Sequence, residues 1–324
     1  MIAIIVLLFS LGVLVLLLLN KLVLKTNWYK NAFLFTQGIL SLSDKDRGKL
    51  KIVNLGSNPA LFSFFYESVL GQNWATGTQG PELDLAILKR NVTYLERCGV
   101  VLIPIVAFSS CTPYLWHLKT DYLGNKYYAR FARLTEGNRE SRFLIPNYRK
   151  VRKWMKYPLL FQFSSLRFII SDIQPDNRSF QTEQPMSLLE LKHDADRWMS
   201  SWMHEFDIKD LDAPLDNCME KFHEECADSF SSIVDFCKNH ELRPVLIFPP
   251  MTEILCSCFS EKAKETYIYS FVRRIQKRTA VEFLDYMHHP DFISSSLYFN
   301  SFFLNLRGRK LFTKQVLKDL KLIS

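Results

Sequence analysis

Residues Leu50–Phe65 read LKIVNLGSNPALFSFF. A short β-branched apolar run, Ile52 and Val53 followed by Leu55, stops at Gly56-Ser57-Asn58-Pro59, and a phenylalanine-rich stretch follows. This pattern predicts a buried strand, a tight turn and a helix start. Gly56 permits the turn, and Pro59 suits a first helical turn. Ser57 then sits at the lip of the turn, beside the helix N-terminus. Its hydroxyl has two readings. It is either an N-cap or a nucleophile next to backbone N–H groups that could hold an oxyanion.

Further strand–helix units follow. Gly71 to Gly80 (GQNWATGTQG) is a polar, glycine-dense loop that ends in Pro81-Glu82. Leu85, Leu88, Val92 and Leu95 recur at helical spacing, with Gly99 as the expected stop. Val100–Val106 (VVLIPIV) is a second apolar strand, ending near Ser109 and Ser110. A long amphipathic helix carries Phe222, Cys226, Phe230, Ile233 and Cys237. Val245–Phe248 is a third strand, stopped by Pro249-Pro250. A helix over about 261–278 and a strand over 281–285 come next. The last helix is expected over Arg309–Leu320. Apolar strands alternating with helices predict a three-layer α/β/α domain around a mainly parallel sheet. Sites in such sheets lie at the C-terminal strand ends. Here those ends are Ser57, Ser109-Ser110, Pro249-Pro250 and Asp285–His288.

Met1–Leu19 is apolar without interruption, and the first charge is Lys21. About 20 apolar residues match one membrane-spanning helix. The run lacks the basic start and small-residue cleavage site of a signal peptide. The expected organisation is an anchor over 1–20, a connector over 21–49 and an α/β domain over 50–324. Lys21, Lys25 and Lys30 follow the apolar run, which under the positive-inside rule points the domain to the cytoplasm.

The 324 residues carry a formal net charge of +8 and are 48% hydrophobic, which excludes a disordered chain and favours an anionic partner or membrane surface. The seven cysteines form no CxxC pair and no Cys/His ligand spacing, so neither a disulfide framework nor a metal is expected. No cofactor motif is present. Residues 112–205 break the α/β rhythm as a basic, aromatic insertion. Arg139, Arg142, Arg149, Lys150, Arg152, Lys153 and Lys156 crowd one part of it. That part is either a solvated basic helix or a surface for anionic lipid or glycan. No nucleic-acid motif accompanies it, and no nucleic-acid partner is expected.

The order of these blocks resembles the SGNH (GDSL-like) esterase and acyltransferase superfamily, with its flavodoxin-like sheet. The nearer likeness is to membrane-anchored, DltD-like proteins of cell-envelope acylation and to proteins encoded with capsule-polysaccharide genes. The resemblance covers about 50–110 and 200–320. It implies that Gly56-Ser57 carries the nucleophile, that the loop with Asn73 and Gly77 supplies oxyanion donors, and that Ser109 or Ser110 stands in place of a third-block Asn. The closing Asp-x-x-His, Leu-Asn and Gly block matches Asn300-Ser301-Phe302-Phe303-Leu304-Asn305-Leu306-Arg307-Gly308. Leu304, Asn305 and Gly308 fit. Asn300 replaces the Asp and Phe303 the His. A serine needs a base, and the substitute in the sequence is Asp285-Tyr286-Met287-His288, with His289 adjacent. His288 and His289 are otherwise ordinary loop residues, and Asn305 is otherwise a helix cap.

The resemblance implies a single-pass protein of the bacterial inner membrane, with its domain outside the cytoplasm, opposite to the lysine pattern. It implies a serine esterase or O-acyltransferase acting on a polysaccharide or acylated glycan. The alternative is an inactive relative, a pseudoenzyme that binds such a glycan or supports a membrane-bound acyltransferase.

Overall fold

The computed structural model describes residues 1–29, 42–77, 79–111, 145, 148–171 and 186–324. Arg139 and Arg142 lie outside the described residues. In chain order, the elements begin with α1 (Ile2–Val23), β1 (Leu50–Asn54), α2 (Asn58–Leu61) and β2 (Gly71–Asn73). Then come α3 (Pro81–Asn91), β3 (Leu95–Pro104), α4 (Tyr148–Lys156), α5 (Pro158–Phe161) and α6 (Arg167–Ile170). The chain continues with α7 (Leu188–Glu205), α8 (Asn217–Asn239), β4 (Arg243–Phe248) and α9 (Glu261–Lys264). It closes with α10 (Ser270–Arg278), β5 (Glu282–Asp285) and α11 (Leu306–Asp319).

The chain divides into two compact units, Met1–Thr36 with Asp121–Asn177, and Gln37–Thr120 with Arg178–Ser324. In the first, α1 is long and apolar enough to cross a membrane, and its side chains from Met1 to Leu18 are exposed. Asn20 is buried where the apolar run ends. Its Nδ2 donates to the Lys156 carbonyl (3.0 Å), and its Oδ1 accepts from the Leu159 N–H (3.2 Å). The Tyr29 hydroxyl donates to the Met155 carbonyl (2.7 Å), and Trp28 stacks on Phe168.

The second unit is built on a five-stranded, all-parallel sheet in the order β2-β1-β3-β4-β5. Val53, Val101, Ile103 and Leu246 are as fully buried as their alternating neighbours Ile52, Leu102, Val245 and Ile247. Burial on both faces is why these strands read as continuous apolar runs rather than as alternation. The Ile52, Leu102 and Ile247 side packs on α2 and α11 through Leu61, Phe64, Phe312, Val316 and Leu317.

The elements differ from the sequence expectation in four places. The polar loop over 71–80 begins with a strand, because Gly71–Asn73 pairs in parallel with Ile52–Asn54. Gly71 is required there, since a Cβ would lie 2.8 Å from both Ile52 and Tyr66. The helix expected to run to Gly99 ends at Asn91. Leu95 already pairs with Leu50, so β3 starts five residues earlier than Val100 and takes up the extra length in a bulge between Leu50 and Ile52. The helix over about 261–278 contains a π turn at Glu265–Tyr269 between α9 and α10. The last helix starts at Leu306, three residues before Arg309, because Asn305 caps it.

Candidate functional site

Strand order reverses between β1 and β3, and in open parallel sheets ligands bind at that switch point, outside the carboxyl ends of the strands. A cleft of about 220 Å³ opens there. One wall comes from the loop after β1 (Gly56-Ser57-Asn58-Pro59), and another from the segment after β3 (Val106–Ser109). A third comes from Gln79, Gly80 and the first turn of α3, and aromatic side chains close the rest.

Gly56 is the pivot. Its φ of +102° lies where side chains are disfavoured, and an added Cβ would meet Ala60 Cβ at 3.1 Å and Pro104 Cγ at 3.2 Å. Its N–H donates to Asp84 Oδ1 at 2.8 Å, which ties the loop to α3. Ser57 occupies the N-cap position of α2, but its hydroxyl makes no capping hydrogen bond. The cap reading therefore holds for position only. The single turn of α2 also carries little of the dipole that a longer helix would aim at an oxyanion.

Asp84 and Glu82 stand in the first turn of α3. A helix N-terminus favours carboxylates by a few tenths to about 1 kcal/mol, yet burial wins here. Desolvation pushes the Asp84 carboxyl up to about 7, against the lowering effect of hydrogen bonds from Gln79 and from the Gly56 N–H, and the nearby Glu82 charge adds to the rise. Burial also raises Glu82, which accepts a hydrogen bond from the Ser229 hydroxyl at 2.9 Å.

The aromatic wall is built from two places. Trp198 and Trp202, one turn apart on α7, lie 5.4 Å apart between ring centroids. Phe302 meets Trp202 edge-on at 5.1 Å, and Phe303 meets Trp198 edge-on at 5.5 Å. Asn300 delivers the two phenylalanines, because its Oδ1 accepts from the N–H groups of Phe302 (2.9 Å) and Phe303 (2.6 Å). Asp194 on α7 anchors the same turn, accepting from the Ser301 N–H (3.0 Å) and hydroxyl (2.6 Å).

Of the residues singled out in the sequence, Gly56, Ser57 and Ser109 line the cleft together. Ser109 Oγ accepts from the Val106 N–H at 2.9 Å and shapes the turn after β3. Ser110 is fully buried, with its hydroxyl toward Tyr267 and Cys111. Asn73 does not line the cleft. Its Nδ2 faces the carbonyls of Ala60, Leu61 and Phe64 at 3.2–3.3 Å, and its Oδ1 accepts from Asn54 and the Ala75 N–H, so it pins α2 to the sheet. Gly77 is not a lining residue either; the second loop reaches the cleft through Gln79 and Gly80.

Asn300 acts through its turn. Asn305 is fully buried and caps α11, accepting from the Gly308 N–H at 2.9 Å and donating to the Ser296 carbonyl at 2.8 Å. Asp285 and His288 follow β5, three strands from β1, so roughly 14 Å of sheet separates their strand end from that of Ser57. Asp285 is engaged by the Tyr269 hydroxyl (3.0 Å) and the Met287 N–H (2.9 Å) rather than by His288. His289 accepts from the Asp291 N–H and packs on Tyr286 and Phe292. The structure does not bring this Asp-x-x-His to Ser57.

Sequence reasoning missed Asp84, Glu82 and the Trp198–Trp202 pair. Two tryptophans four apart on a helix share one face, which was a legible signal inside the supposed insertion. Nothing local marked Asp84 as buried.

Chemically, the cleft offers a hydroxyl, three carboxyl groups (Glu82, Asp84 and Glu205) and a broad aromatic surface. None of its lining residues is a histidine. Among the described residues, no cluster of His, Cys, Asp and Glu could hold a metal ion. No protein-family model and no curated protein matches the chain.

Proposed function

We propose that the chain is a membrane-anchored, SGNH-like binding protein whose switch-point cleft holds a polysaccharide or acylated glycan without hydrolysing it. In this reading the globular unit is a three-layer α/β/α domain. The flavodoxin-like strand order, the Gly-Ser turn after β1 and the Leu304-Asn305…Gly308 entry to the last helix support it. One observation carries the functional reading: Phe303, at the position of the family's base, presents an aromatic ring to the cleft that holds Ser57. A serine hydroxyl without a base is a poor nucleophile, whereas indole and phenyl faces beside carboxylates suit a sugar ring with its apolar face on the aromatics and its hydroxyls on the acids. Such a protein could hold an acylated glycan for a membrane-bound acyltransferase.

A second reading, a serine esterase or O-acyltransferase, is favoured by the Ser57 hydroxyl, which is not spent on capping α2. Its base would have to be a carboxylate of the cleft.

The site is anchored at a bacterial inner membrane in this reading. Positive charge at the C-terminal end of α1 supports a cytoplasmic globular unit under the positive-inside rule. Binding is tested by tryptophan fluorescence of the full chain in detergent, titrated with O-acetylated and de-acetylated surface polysaccharide. A saturable change that is lost in Trp202→Ala is expected. A flat titration with both glycans would remove the reading.

A further inference from the structure

The first unit carries a surface that the glycan-binding reading does not use. From α4 to α6 the chain has no acidic residue between 148 and 171. Arg149, Lys150, Arg152, Lys153, Lys156 and Arg167 are all exposed. Interleaved with them are large exposed apolar side chains: Leu160 is 65% exposed, Phe163 68% and Ile170 93%. Scattered apolar residues on a soluble surface are ordinary, but these are gathered on three short consecutive elements. Their place is fixed by the end of α1. Asn20 binds the Lys156 carbonyl and the Leu159 N–H, and Trp28 stacks face to face on Phe168, with ring centroids 4.8 Å apart.

A 22-residue helix is about 33 Å long and spans a hydrocarbon core of about 30 Å, which puts Asn20 at the boundary of that core. The segment bonded to Asn20 is therefore held at the depth where acyl chains meet head groups. Tryptophan, tyrosine and basic side chains favour that layer.

We infer that residues 148–171 form an interfacial foot that lies on the same bilayer α1 crosses. In this arrangement Leu160, Phe163 and Ile170 enter the acyl boundary, and the surrounding lysines and arginines bind anionic lipid head groups. The occupant is lipid because the patch continues the exposed surface of the spanning helix, and its charge complements an anionic leaflet. Each basic side chain near such a surface strengthens attraction about fivefold, so the foot selects anionic lipid. The inference stands independently of any ligand in the cleft.

The test uses the full chain in bilayers of equal parts phosphatidylcholine and phosphatidylglycerol. The photocrosslinker benzoylphenylalanine replaces Phe163, Ile170 or, as a reference within α1, Leu14. Lipid adducts at 163 and 170 are expected at yields within about threefold of position 14, with phosphatidylglycerol enriched about fivefold. Lys150→Gln, Lys153→Gln and Lys156→Gln together should lower the enrichment. Since these side chains are exposed on one helix, the fold is expected to survive the change. Adducts to protein alone at 163 and 170, or none while position 14 reacts, would overturn the foot. Equal capture of the two lipids would overturn its anionic preference.

Discussion

Asp84 holds the Gly56 N–H from a buried position, and its carboxyl is pushed up to about 7 by desolvation. The folded protein therefore keeps a proton that the unfolded chain releases near pH 4. Between about pH 4 and pH 7 the native state binds more protons than the unfolded state, so stability falls as pH rises through that window and levels off above it. Asp84→Asn keeps an acceptor for the Gly56 N–H and removes the titration. At one pKa unit per about 1.4 kcal/mol the ceiling is about 4 kcal/mol. The variant is expected to exceed the parent by about 1–3 kcal/mol at pH 8 and to match it within about 1 kcal/mol at pH 4.5. Thermal unfolding followed at the two pH values checks this, and a variant less stable at pH 8 would refute it. No feature near Asp84 in the chain foretells its burial. Pro81-Glu82-Leu83-Asp84 reads as a solvated first turn, and only packing against the Gly56 loop makes it otherwise. Gly56-Ser57 was legible because a turn needing positive φ can be read from one glycine.

At the scale of elements, the start of α11 shows how much of a family-like block is architecture. A Cβ on Gly308 would stand 2.2 Å from the Leu297 carbonyl oxygen, which belongs to backbone that cannot turn aside. Gly308→Ala should cost about 3 kcal/mol or more. Asn305→Ala removes a cap and leaves the Ser296 and Tyr298 carbonyls without the Nδ2 donor, at about 2 kcal/mol. Unfolding midpoints rank the two; a silent Gly308→Ala would mean that α11 enters differently. The strands β1, β3, β4 and β5 were readable because runs such as Val100–Ile103 and Val245–Phe248 have few other uses. β2 was not, since Gly71–Asn73 is a strand only by virtue of its partner Ile52–Asn54. The aromatic wall was half readable. Trp198 and Trp202 share a helix face in the sequence, but their meeting with Phe302 and Phe303 depends on the Asp194–Ser301 tie, more than a hundred residues apart.

For the whole molecule, the basic flank of α1 and the exposed lysines and arginines of 149–167 point to the same side of the bilayer. Cys98 and Cys218 are exposed in the globular unit and report on the side it occupies. A membrane-impermeant maleimide added to intact spheroplasts is expected to leave both unmodified, and to label them once the membrane is permeabilised. Labelling before permeabilisation would place the unit on the outer face. The division of labour is then an apolar helix with its foot at the bilayer and a parallel sheet that carries a cleft at its switch point. The proposed binding without hydrolysis rests on the cleft offering Ser57 no histidine. Mass spectrometry of the full chain after treatment with a fluorophosphonate, beside a control serine esterase, tests that most directly. Ser57 should remain unmodified under conditions that fully label the control; a phosphonyl adduct on Ser57 would contradict the binding role and make the cleft an active site.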